Sequence, residues 1–98
     1  MQIENILKEI GLSNGEIEIY LLLLELGPSP VKKIKERTKI HRTSIYDFIE
    51  KLINKSLLSY FITNNVKQYR AVEPKKLLDF VKEKEDKIKS IIPKLEKR

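Results

Sequence analysis

The sequence predicts a mainly α protein that carries one small β-hairpin and ends in a long helix. Three patterns predict it. Apolar residues recur at three- and four-residue steps up to residue 54, interrupted by Gly11, Gly27 and Pro28. Residues 57–72 switch to a two-residue alternation around Asn64-Asn65. After Pro74 the apolar residues return at heptad spacing.

Length and composition set the bounds. The 98 residues make one domain. A chain of this size buries about 60–65% of its unfolded surface, so it holds one modest core that a partner subunit would extend. It has no apolar run long enough for a membrane span and no basic-then-apolar leader, so a cytoplasmic location is expected. Without cysteine there is no disulfide framework, and one histidine does not make a zinc site of the usual kind, so no metal or cofactor is expected. The net charge of +6 is uneven. Residues 1–26 hold one lysine against five glutamates, whereas residues 31–70 hold ten Lys or Arg against three acids. A basic middle points to a polyanionic partner, although lysine-rich surfaces also serve solubility.

The first helix is predicted over residues 2–10, with Ile3, Ile6, Leu7 and Ile10 on one face and Gly11 as its stop. Ser13 then caps a second helix, and Glu16, three residues on, completes a capping box. This helix is apolar around much of its circumference (Ile17, Tyr20, Leu21, Leu24), which makes it the central core helix. Gly27 ends it and Pro28 prevents continuation. Its acids Glu16, Glu18 and Glu25 disfavour contact with nucleic acid.

Residues 28–55 read as two short helices with a tight turn. Ser29 is expected to cap the first, over residues 31–38, with Pro30 at its first position. Lys39-Ile40-His41 forms the turn. The second helix, residues 42–54, buries Ile45, Phe48, Ile49, Leu52 and Ile53, and turns Arg42, Thr43, Ser44, Tyr46 and Asp47 outward. A helix-turn-helix presents such a surface to the major groove. A plain helical hairpin with a solvated polar face has the same pattern.

The hairpin that follows changes the balance. Asn64-Asn65 tolerates positive φ, and a two-residue loop pairs Tyr60 with Tyr69 and Leu58 with Ala71 on the core face. Lys67 then lies near the tip, on the face of Ile62, and Arg70 points to the other face beside Ser59. A hairpin directly after a helix-turn-helix is a wing, and two basic side chains on it suit phosphate. The Pro28-Ser29-Pro30 segment is a candidate third strand. The last helix begins near Pro74. Leu77, Val81, Ile88, Ile91 and Leu95 follow heptad spacing, so this stripe is expected to dimerise, the alternative being that it covers the first helix of its own chain. Pro93 is expected to kink or end the helix near Ile92. The domain reading is therefore a winged helix-turn-helix over 1–74 and a dimerisation helix over 75–98, in one globular unit.

This order of elements resembles the N-terminal DNA-binding domain of archaeal TrmB-type transcriptional regulators. The segments that carry the resemblance are Gly11-Leu12-Ser13, Ile19-Tyr20-Leu21-Leu22-Leu23-Leu24-Glu25-Leu26-Gly27, Ile40-His41-Arg42-Thr43-Ser44-Ile45-Tyr46-Asp47 and Gln68-Tyr69-Arg70-Ala71-Val72-Glu73-Pro74. It spans roughly residues 3–80. The resemblance implies a winged helix-turn-helix that binds operator DNA as a homodimer, with Arg42, Thr43, Ser44 and Tyr46 on the recognition helix and Lys67 and Arg70 on the wing. Larger members continue into a domain that binds a sugar effector. These 98 residues hold no counterpart, so no small-molecule effector is expected of them, and both a stand-alone member and a fragment of a larger regulator fit. Lys39 stands where many helix-turn-helices have glycine, and Lys55-Ser56 where many have Lys-Gly, so the bends there are expected to be made by residues with a β-carbon at a modest cost.

Arg42 suits bidentate pairing with guanine, or a phosphate. Thr43 and Ser44 suit a base, a phosphate or helix capping, and Tyr46 a phosphate or packing. Lys32, Lys33 and Lys35 would flank the DNA backbone, while Asp47 and Glu50 would hold neighbouring bases in place. His41 reads as a turn residue, and Gly11, Gly15 and Gly27 read as helix punctuation. With no Gly-rich phosphate loop and no Ser-His-Asp set, the chain is not expected to be an enzyme. The expected function is a sequence-specific regulator of transcription on double-stranded DNA. The alternative is a winged-helix protein-interaction module of the transcription machinery. RNA is disfavoured, because a deep, narrow groove does not admit a helix.

Overall fold

The computed structural model describes residues 2–98. In chain order it contains α1 (Ile3–Glu9), α2 (Asn14–Leu26), α3 (Val31–Arg37), α4 (Arg42–Asn54), β1 (Leu58–Thr63), β2 (Val66–Ala71), a 3-10 turn (Pro74–Lys76) and α5 (Leu77–Glu96). The predicted order holds throughout, a winged helix-turn-helix followed by a long helix. Among the described residues no helix is long and apolar enough to cross a membrane.

Gly11, at φ +112°, stops α1, and its N–H donates to the Lys8 carbonyl at 3.0 Å. The predicted apolar face of α1 is only half used. Leu7 is buried and Ile10 half-buried, but Ile3 and Ile6 are exposed, because the body covers α1 only toward its C-terminal end. The capping box at α2 is complete. The Glu16 N–H donates to Ser13 Oγ at 3.3 Å, and the Ser13 N–H donates to Glu16 Oε1 at 3.0 Å. Ile17, Ile19, Tyr20 and Leu23 of α2 form the centre of the core, against Ile34, Ile45, Ile49 and Leu52 of α3 and α4. The Tyr20 hydroxyl donates to the Val72 carbonyl at 3.2 Å and ties α2 to the exit of the wing.

Gly15 departs from its reading as punctuation. It stands in the first turn of α2 with the Phe48 ring against it, and a β-carbon there would lie 2.2 Å from a ring carbon. The glycine makes room for α4.

Ser29 does not cap α3. Pro30 is the N-cap and the helix begins at Val31. The backbone of Ser29 is instead paired with Tyr69, which accepts from the Ser29 N–H at 2.9 Å and donates back at 2.8 Å, while the Ser29 hydroxyl donates to the Gly27 carbonyl at 3.0 Å. The proposed third strand is thus a single antiparallel bridge, and pairing with the wing takes the residue from the cap.

The two bends expected to lack glycine behave differently. Ser56, after α4, takes φ +61°, the left-handed conformation that disfavours a β-carbon. Lys39 is not among the residues at positive φ, so the cost anticipated at that turn is not incurred.

The hairpin has the predicted register, with Leu58 opposite Ala71, Ser59 opposite Arg70, Tyr60 opposite Tyr69 and Ile62 opposite Lys67. Asn64 and Asn65 sit at φ +50° and +63°, the two left-handed positions of a type I′ turn. Leu58 and Tyr69 are buried. Tyr60 shares their face but is exposed, because the hairpin projects past the helices toward its tip.

Helix α5 is anchored by its first turn. Phe80, which lies outside the heptad stripe, is buried, and Leu77 packs partly against the core. Every residue from 81 to 98 is exposed, so the stripe does not cover the chain's own first helix. The helix also runs through Pro93 to Glu96 rather than ending near Ile92. In the last turn the missing N–H removes one hydrogen bond and leaves little helix to disrupt.

A partly buried ion pair links α2 to the end of α4. The Lys55 ammonium donates to the buried Glu16 carboxylate and, at 3.4 Å, to the Gly11 carbonyl. Burial alone would raise the Glu16 pKa. The Lys55 hydrogen bond, the Ser13 N–H and the Ser13 hydroxyl outweigh it and hold the carboxyl below its usual value.

Candidate nucleic-acid interface

Helix α4 begins at Arg42 with His41 as N-cap, and the histidine side chain makes no capping hydrogen bond. Thr43 and Ser44 lie inside the first turn of the helix, which removes the capping alternative for them. Arg42, Thr43 and Tyr46 are exposed and Ser44 is half-buried, so the outward face of α4 starts at its N-terminus. That end carries unpaired N–H groups and the positive end of the helix dipole. Further along, Asp47 pairs with Lys51 at 3.1 Å, the role anticipated for it. Glu50 has no such partner among the described residues.

The wing brings a second set of groups to the same place. A groove of about 450 Å³ lies between the start of α3, the start of α4 and the wing tip. Lys32, Arg42, Tyr46 and Lys67 all line it, and no acidic side chain does. Four of the eight residues singled out for nucleic-acid contact therefore meet around one concavity, although 35 positions separate the first from the last in sequence (Lys32 to Lys67). The Lys67 ammonium lies 4.6 Å from the centroid of the Tyr60 ring, and the Tyr60 and Tyr69 rings are 6.0 Å apart. Burial pushes the Tyr69 phenol up, and the nearby Tyr46 and Tyr60 phenols add to this.

The other four are not gathered there. Lys33 is exposed on α3 away from the groove, and Thr43 and Ser44 do not line it. Arg70 points to the opposite face of the wing, where its Nε donates to Ser59 Oγ at 3.2 Å and its guanidinium lies 5.6 Å from the Phe61 ring. Asn65 and Val66, at the wing tip, also line the groove, although the sequence pattern marks them only as turn and strand residues. The two-residue turn carried the signal for them, since a register that puts Lys67 at the tip puts its neighbours there too.

Residues 7–75 match the family model described as "Sugar-specific transcriptional regulator TrmB". The chain is 33% identical over 77 residues to the HTH-type sugar sensing transcriptional regulator TrmBL1 of Pyrococcus furiosus, a match that covers 79% of this chain and 22% of that protein. The chain thus spans less than a quarter of the length of that relative. Its fold is similar to that of the transcriptional regulator Tm0710 of Thermotoga maritima, with a TM-score of 0.64 at 14% identity over 93% of this chain and 67% of that one. The Bacillus subtilis YusO protein is similar at a TM-score of 0.64 and 15% identity, covering 88% of this chain and 67% of YusO. The adhesin competence repressor AdcR of Streptococcus pyogenes follows at 0.62 and 14%, covering all of this chain and 84% of AdcR. These three likenesses establish the fold alone. The family match, the sequence relative and the winged helix agree: the chain belongs to the TrmB family of transcriptional regulators.

Proposed function

We propose that this chain reads double-stranded operator DNA as a homodimer, with α4 in the major groove and the wing against the flanking backbone. The convergence of Lys32, Arg42, Tyr46 and Lys67 on one acid-free groove carries the reading. Arg42, at the first turn of the recognition helix, is suited to a guanine edge, and Thr43 and Ser44 to the bases or phosphates beside it. Lys32, Lys33 and Lys67 supply phosphate contacts around the groove, and Arg70 supplies one on the outer face of the wing. In this reading residues 1–74 form the DNA-binding unit, and residues 75–98 join two copies through Val81, Ile88, Ile91 and Leu95, with Leu77 anchoring the helix to its own domain. Two copies would address half-sites one helical turn apart, about 34–36 Å, or a multiple of it.

The test is a salt titration of duplex binding. Counterion release gives log affinity against log salt a slope of roughly −0.9 per phosphate neutralised, so four or more contacts predict a steep dependence. Affinity that is flat with salt and unchanged in Arg42→Ala would overturn the reading and favour a protein-interaction role for the winged helix.

A further inference from the structure

Two surfaces of this chain lie open, and their charges are opposite. The first is a groove of about 400 Å³ between α1, α2 and the end of α3, lined by the half-buried Leu21 and Leu22 and by Ile17, which the core already buries. Its rim carries Glu4, Glu18 and Glu25, with Arg37 as the single base. The second is the outer half of α5, where Ile88 and Leu95 are 55% and 56% exposed and Ile91 and Ile92 42% and 41%. Residues 87–98 hold five Lys or Arg and one acid.

The distribution of charge favours one way of covering these surfaces. The acids of the first half of α5 are already engaged: Asp79 with Lys76, Glu83 with Lys87, Glu85 with Lys82 and Lys89, and Asp86 with Lys82. Among the described residues, the groove acids Glu4, Glu18 and Glu25 have no such partner, and neither do the tail bases Lys94, Lys97 and Arg98. Pairing α5 with α5 in parallel would set the two basic tails side by side, and antiparallel pairing would offer them acids that already share lysines of their own helix, whereas the groove acids share none. The tail cannot fill the groove of its own chain either. It is the continuation of one unbroken helix that leaves the body after Phe80.

We propose that the basic tail of α5 seats in the acid-rimmed groove of a second copy, and that the second copy returns the same contact. This interface is isologous and closes as a two-fold dimer. Ile88, Ile91 and Leu95 would cover the exposed parts of Leu21 and Leu22, while Lys94 and Lys97 meet Glu18 and Glu25. Because Arg37 and Thr38 form one wall of the groove, the partner's tail would bear directly on the helix-turn-helix bend. The inference rests on the homodimer reading and specifies what that dimer is made of.

The absence of cysteine makes the test direct, since any cysteine introduced is unique. A full-length chain carrying Leu21→Cys is mixed with one carrying Ile91→Cys under mild oxidation, and sedimentation is run in parallel on the unmodified chain. The expected result is a dimer by sedimentation and a disulfide between the two different chains. In addition, Glu18→Lys with Glu25→Lys should weaken the dimer about tenfold, and Lys94→Glu with Lys97→Glu on the same chain should restore it. A dimer whose only disulfides join Ile91→Cys to Ile91→Cys would overturn the groove contact and leave the homodimer standing. A monomer at every concentration would overturn both.

Discussion

At the scale of single residues, Arg42 and Lys67 approach one groove from different elements, so their losses should be distinguishable. Arg42→Ala is expected to cost roughly 1–3 kcal/mol on a preferred sequence and to relax the preference there. Lys67→Ala is expected to weaken all sequences alike and to make the salt slope shallower by about 1. Fluorescence anisotropy on two duplexes at several salt concentrations separates the two outcomes. The Glu16–Lys55 pair predicts a pH effect. The folded carboxyl sits below its usual value of 4.5, so its stabilisation is fully present above that value and is lost as the pH falls through the folded pKa. Denaturant titrations across this acid range should show the loss in the native chain and a smaller slope in Glu16→Gln, which should itself be less stable at neutral pH by about 1–3 kcal/mol. Gly15→Ala, inside a helix, would ordinarily stabilise. Here the Phe48 ring occupies the space, so a loss of about 1–3 kcal/mol is expected, relieved by Phe48→Ala in the same chain. Neither Gly15 nor Phe80 was legible in advance. The role of Gly15 depends on the angle at which α4 crosses α2, and Phe80 falls outside the apolar repeat that the rest of α5 follows.

Elements whose signals are local were legible residue by residue. The capping box opened α2 where Ser13 and Glu16 required it, and Asn64-Asn65 with the flanking alternation set the register of the wing. The failures came where a tertiary partner competed with a local preference. Ser29 prefers a helix cap, but the Tyr69 backbone claims it for the sheet. Pro93 opposes helix, but so near the end of α5 it has little to break. The exit from α4 offers a test at this scale. Ser56 holds φ +61° at a cost that glycine does not bear, so Ser56→Gly should stabilise the chain by about 0.5–1 kcal/mol, read as a higher thermal midpoint with the wing intact.

For the whole molecule, the division of charge along the sequence became a division in space. The acidic first quarter lines one groove and the basic middle lines another, so one surface repels the polyanion that the other attracts. The sequence indicated which residues belonged to each half, but not that Lys32 and Lys67 would face one concavity, because that meeting depends on how the wing folds over α3 and α4. It also indicated an uncovered stripe on α5, and the structure leaves that stripe open from Val81 onward. In the proposed function, two such chains read a defined DNA sequence. Selection from a pool of random duplex DNA at near-physiological salt, followed by sequencing of the retained fraction, tests it most directly. The expected result is a palindromic motif whose half-sites are separated by one helical turn or a multiple of it. Retention without any motif, or no retention, would contradict it.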